Sequence, residues 1–198
     1  MQARNRKVTT QFAAYKAWRP KSRLSGSKRW NYQRVAPALG SYFGVAQGLG
    51  GTVGRADAAL LFVLPLVAVL GFLQGNAPVP AAHQLVFELP LIDGCPAGFS
   101  GATFVDGCLF VSASVENTAD AVLDGEVLGS FVGVLDVPAG TANFARLAWA
   151  DGRAYLGKVE GLAVRQHLAP GRFELVLVTD DDAGGSTAAV AEISLSQA

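Results

Sequence analysis

Ala102-Thr103-Phe104-Val105-Asp106-Gly107-Cys108-Leu109-Phe110-Val111-Ser112-Ala113 is the stretch that decides how this chain folds. Two runs rich in β-branched and aromatic residues flank an Asp-Gly pair. A two-residue hairpin turn needs positive φ at both central positions, and Asp followed by Gly tolerates that conformation better than most pairs. The stretch therefore predicts two antiparallel strands joined by a tight turn.

The same pattern continues on both sides. Upstream, Leu85 to Leu89 is β-rich and stops at Pro90. Downstream, the polar and acidic residues from Glu116 to Gly125 read as a loop. Phe131 to Leu135 reads as the next strand, stopped by Pro138-Ala139-Gly140. Asn143 to Ala150 returns, and Asp151-Gly152 repeats the turn signal. Leu162-Ala163-Val164 is bounded by Pro170-Gly171. Phe173 to Val178 is a strongly apolar strand, and Ala188 to Leu195 closes the pattern. Short strands with turn signals about every 8–12 residues predict an all-β sandwich, barrel or propeller. No sustained 3.6-residue period competes, so helix is expected only in the first 75 residues.

The chain has 198 residues, 51% of them hydrophobic and 16% charged, enough apolar material for a sizeable core. Its formal net charge of zero conceals an asymmetry. Met1 to Arg55 holds 11 of the 16 Lys and Arg residues and no Asp or Glu, whereas the remainder holds five basic and 16 acidic residues. The head is thus about +11 and the body about −11. A solvated terminus, a patch for anionic lipid or nucleic acid, and the cytoplasmic flank of a membrane anchor all fit such a head. Nucleic acid is the least expected partner, because the aromatic residues Phe12, Tyr15, Trp18, Trp30 and Tyr32 follow no sustained period.

Residues 56–73 follow this basic stretch and carry one charge, Asp57. Their length is near the lower limit for a spanning helix. Pro65 would remove a hydrogen bond in mid-span, and Gly71 weakens the helix further. The favoured reading is a buried strand over Ala59–Leu64, then a short helical or extended piece, Leu66–Leu73, before the turn Gly75-Asn76-Ala77-Pro78. A membrane-anchored, extracytoplasmic β domain is the alternative to a cytoplasmic protein. Cys95 and Cys108 are the only cysteines and do not form a CxxC pair, so a structural zinc site is not expected. A disulfide between them and two buried thiols are both open.

Further motifs fall in order along the body. Pro96-Ala97-Gly98-Phe99-Ser100 leads into the Asp106-Gly107 turn. Ser112 to Asp120 runs on to Asp124-Gly125 and Leu128-Gly129-Ser130. Lys158-Val159-Glu160-Gly161-Leu162 precedes one strand, and Val178-Thr179-Asp180-Asp181-Asp182 ends another. Through these residues the chain from about Gly48 to Leu195 resembles an uncharacterised family of bacterial β-propeller proteins, itself distantly similar to propellers with esterase-like phytase activity. The resemblance implies a propeller fold and brings no settled activity. It divides the chain into a basic tail, residues 1–47, and a propeller-like domain, residues 48–198, of antiparallel meanders. A blade takes about 40–45 residues and a ring at least four blades, so this domain holds about three. It therefore reads as part of a ring or a truncated product, with exposed sheet edges that invite self-association.

Chemistry has to come from the acids. Glu116, Asp120 and Asp124 lie in one loop, Glu160 follows Lys158, and Asp180, Asp181 and Asp182 end a strand. On a shared propeller rim, Glu116, Asp120, Glu160 and Asp180 would supply oxygen ligands to a hard cation such as Ca²⁺, which could stabilise charge on a phosphoester. Loop acids that only face water are the alternative. The spacing does not fit an EF-hand loop, Gly98-Phe99-Ser100-Gly101 is not a nucleophile elbow, and no Lys-Ser/Thr follows the glycines of Gly48–Gly54. His83 and His167 read as surface loop residues. The expectation is a non-catalytic binding or scaffold module, with a cation-dependent phosphoesterase-like hydrolase as the alternative.

Overall fold

The computed structural model describes residues 6–13, 41–46, 58–118, 125–180 and 185–197. In chain order the strands begin with β1 (Arg6–Ala13), β2 (Ser41–Ala46) and β3 (Ala58–Pro65), which runs into the helix α1 (Leu66–Leu73). The chain continues through β4 (His83–Glu88), β5 (Leu91–Ile92), β6 (Cys95–Pro96), β7 (Gly98–Val105), β8 (Cys108–Asn117) and β9 (Glu126–Asp136). It ends with β10 (Thr141–Arg146), β11 (Val159–Ala169), β12 (Arg172–Asp180) and β13 (Ser186–Gln197). The class is all-β, as the strand and turn signals predict.

The Asp106-Gly107 turn forms with φ of 51° and 76°, and Val105 pairs with Cys108 across it. Asp93-Gly94 does the same between β5 and β6, with φ of 52° and 82°. Pro170-Gly171 joins β11 to β12, with Gly171 at φ 72°. Each glycine takes a backbone conformation that a side chain would strain.

Three antiparallel meanders stack as blades. The first is β2-β3-β4, the second β7-β8-β9-β10 and the third β11-β12-β13-β1. The middle sheet is covered on both faces, which explains why β8 is buried from Cys108 to Val115. Its odd-numbered residues Leu109, Val111, Ala113 and Val115 join Ala59, Leu61, Phe87 and Phe99 in a core between the first two blades. Its even-numbered Cys108 and Phe110 join Val132, Leu175, Leu177, Ala191 and Ile193 in a core between the second and third. A strand apolar on both faces is what a sheet covered on both sides requires. An edge-to-face aromatic pair sits in each interface: Phe87 with Phe99 at 6.5 Å, and Phe110 with Phe173 at 4.9 Å.

The described part of the basic head is strand, where the sequence pointed to helix or little order. β1 pairs with β13 over eight residues, from Arg6↔Gln197 to Ala13↔Val190, and β2 pairs with β3. Both strands belong to sheets whose other members lie beyond residue 47. The favoured division of residues 59–73 holds: β3 occupies the middle of the first sheet and α1 follows at Pro65. Among the described residues no helix is long and apolar enough to cross a membrane. The two histidines are exposed but lie in strands, not loops: His83 opens β4, and His167 sits in β11, stacked on Phe173 at 4.5 Å.

Candidate functional site

The even face of β8 changes character along its length. Cys108 and Phe110 are core residues, Ser112 and Ser114 are buried hydroxyls, and Glu116 reaches the rim. On β9 the same face carries Val134, Val132 and then Ser130. Strand alternation thus aims a polar strip at the third blade, where the chain enters β11.

Ser114 and Ser130 are cross-strand partners with hydroxyl oxygens 2.9 Å apart. Ser114 Oγ lies 3.0 Å from the carbonyl of Val159, and Ser130 Oγ lies 2.8 Å from that of Gly157. The Val159 N–H donates to Ser130 Oγ at 3.1 Å. Two hydroxyl protons therefore serve three acceptors, and the backbone of residues 157–159 is fastened to the middle blade. Beside it Ser100 donates to Ser112 at 2.9 Å. A Cβ on Gly101 would stand 2.9 Å from Ser112 Oγ and 3.0 Å from Gly161 Cα, so glycine permits the close approach of β7 and β11.

At the outer end of this strip Lys158 lies between two acids. Its Nζ is 2.8 Å from Glu116 Oε1 and 3.4 Å from Glu160 Oε1. The Lys158 and Glu116 side chains are only 12% and 19% exposed, whereas Glu160 is 44% exposed. Glu116 Oε1 is buried without a well-formed hydrogen bond, so the ammonium is the charge that compensates its lost hydration. Thr179 pairs with Val159, which puts Asp180, the last residue of β12, at the same rim. Asp120, Asp124, Asp181 and Asp182 lie outside the described residues. Among the described residues no group of three or more His, Cys, Asp or Glu side chains is placed to hold a metal ion. Of the expected ligands, Glu116 and Glu160 are brought together, but around a lysine.

The turn at Asp151-Gly152 is legible in the sequence, but not that β10 already ends at Arg146 and the chain then doubles back. Leu147 to Tyr155 folds back on itself. The Tyr155 N–H donates to the Leu147 carbonyl, the Trp149 N–H donates to the Arg153 carbonyl, and the Trp149 and Tyr155 rings meet edge to face at 5.3 Å. Asp151-Gly152 forms its turn, and Arg153 clamps Asp151 through Nε at 2.7 Å. The hydrogen bonds from Arg153 hold the Asp151 carboxyl below its usual range. Burial pushes the Tyr155 hydroxyl above the ordinary phenol value, partly offset by its hydrogen bond with Thr179. Neither cysteine forms a disulfide: Cys108 is buried in the core, and Cys95 lies 3.7 Å from the Asn117 side-chain oxygen.

The fold and the rim define a class of all-β protein made of stacked, propeller-like antiparallel meanders, with a polar strip between two of them. The chain belongs to the family of unknown function DUF6929, whose model matches residues 51–193. No curated protein and no solved structure matches the chain.

Proposed function

We propose that this protein is a non-catalytic, propeller-like binding or scaffold module that self-associates through its exposed sheet edges. The observation that supports this reading is the pairing of Glu116 and Glu160 with Lys158. The polar groups of the rim hold the second blade to the third, and the Lys158 ammonium balances the charge of one of the two acids beside it. Among the described residues the three meanders are fewer than a ring requires, and their sheets end in the strands β2 and β4, β7 and β10, β11 and β1. Strand edges of this kind add a further strand from another chain.

A cation-dependent phosphoesterase is the second reading, favoured by the approach of Glu116 and Glu160 to one another around Lys158, with the Asp180 backbone at the same rim. It requires a cation such as Ca²⁺ to displace the Lys158 ammonium. Thermal melting of the full chain in millimolar Ca²⁺ separates the two. The scaffold reading expects a melting temperature that does not move. A saturable rise, lost in Glu116→Gln, would replace it with the cation-dependent reading.

A further inference from the structure

We propose that α1 and the turn after it form a membrane-surface docking element, which lies in the interface of an anionic phospholipid bilayer without crossing it. Every residue of Leu66–Leu73 is apolar or glycine, and none is buried. Val67 is 81% exposed and Leu73 72%, with Leu70 and Phe72 also exposed. Val67, Leu70 and Leu73 recur at three-residue spacing and make one outward stripe, which Phe72 widens. Val79, 72% exposed, extends the apolar surface past the helix. No Asp, Glu, Lys or Arg occurs between residues 58 and 87. A helix this apolar is ordinarily buried.

The helix is held in a fixed place, which a docking element needs. β3 delivers the chain at Pro65, and three backbone bonds close the far end: Gln74 N–H to Leu70, Asn76 N–H to Gly71 and Gly75 N–H to Phe72. Gly75 takes φ 74° to complete this cap. The carbonyls of Leu70, Gly71 and Phe72 at that end are therefore satisfied before any lipid is met. Eight residues rise only about 12 Å, far short of a bilayer's hydrocarbon thickness, so the element lies on the surface.

The charge of the chain selects the partner. The first 55 residues hold 11 Lys and Arg and no acid, and they precede this segment in sequence. A chain that carries both a basic segment and exposed large apolar side chains matches a surface that is anionic outside and hydrocarbon beneath. An apolar protein groove would answer the helix but not the charge, and a polyanion would answer the charge but not the helix.

The test is flotation of the full chain with vesicles of phosphatidylglycerol and phosphatidylcholine, against vesicles of phosphatidylcholine alone. The proposal expects binding to the anionic vesicles, weakened by 0.5 M salt, and little binding to the neutral ones. The double substitution Val67→Asp and Leu73→Asp, on side chains open to solvent, should lower partitioning at least about tenfold with an unchanged melting temperature. Three results would overturn it. The first is no flotation with anionic vesicles. The second is equal flotation of the double variant, which would assign binding to the basic head alone. The third is an oligomer that the double variant dissociates while vesicle binding persists, which would assign α1 to a second copy.

Discussion

Tyr155 shows how one buried side chain ties stability to pH. Its hydroxyl is held in the protonated form by burial, so its folded value lies above the value in the unfolded chain. The stabilisation is then complete below the unfolded value, near 10, and is lost as pH rises through the folded one. The protein should lose stability on the alkaline side, and Tyr155→Phe should flatten that loss while leaving the neutral-pH melting temperature within a few degrees. Melting curves from pH 8 to pH 11 check this. A variant whose alkaline decline matches the parent would show that other groups govern it.

Individual residues were legible where local chemistry sets the backbone. Asp106-Gly107 reads as a turn because both residues tolerate positive φ, and the structure has it so. Asp93-Gly94 carries the same signal but sits between two-residue strands, too short for any strand pattern to frame it. Glu160 reads as a candidate cation ligand. What sequence could not show is that Lys158, two residues earlier, turns back to pair with it and with Glu116, 42 positions away.

Between elements, the decisive contacts are hydroxyls and glycines. Ser114 and Ser130 lie in strands whose β character comes from their apolar neighbours, and in a sequence they read as neutral members. The structure gives them the task of fastening residues 157–159 to the middle blade. Ser130→Ala would leave the Val159 N–H and the Gly157 carbonyl without their partner in a buried site. That change should cost about 1–3 kcal/mol. Denaturant unfolding measures it directly, and a loss below about 0.5 kcal/mol would mean that water takes over the bonds. Ser100→Ala, at a half-buried and peripheral bond, should cost less than Ser130→Ala in the same measurement.

Over the whole molecule, the repeating strand–turn rhythm is enough to predict antiparallel meanders, because apart from β1 the strands of each sheet are local in sequence. The placement of β1 was not legible. Its partner strand lies more than 170 residues away, and no local pattern in residues 6–13 points to β13. β2 is similar: six residues of a glycine-containing run gain their strand identity from pairing with β3. Among the described residues each of the three sheets ends in strands with one ladder partner, and the proposed self-association follows from those edges. Sedimentation velocity of the full chain should show a species larger than 20.6 kDa that grows with concentration. A single monomer boundary across a hundredfold concentration range would refute it.

The β1–β13 ladder has a consequence for how the molecule is made. β13 stands between β12 and β1, so the third sheet is joined by one ladder to its neighbour in sequence and by another to the opposite end of the chain. During synthesis residues 6–13 emerge long before residues 186–197, and they must wait for a partner while the first two blades assemble. Removing β13 would therefore undo both ladders at once: the strand made first would lose its berth, and β12 would become an unprotected border.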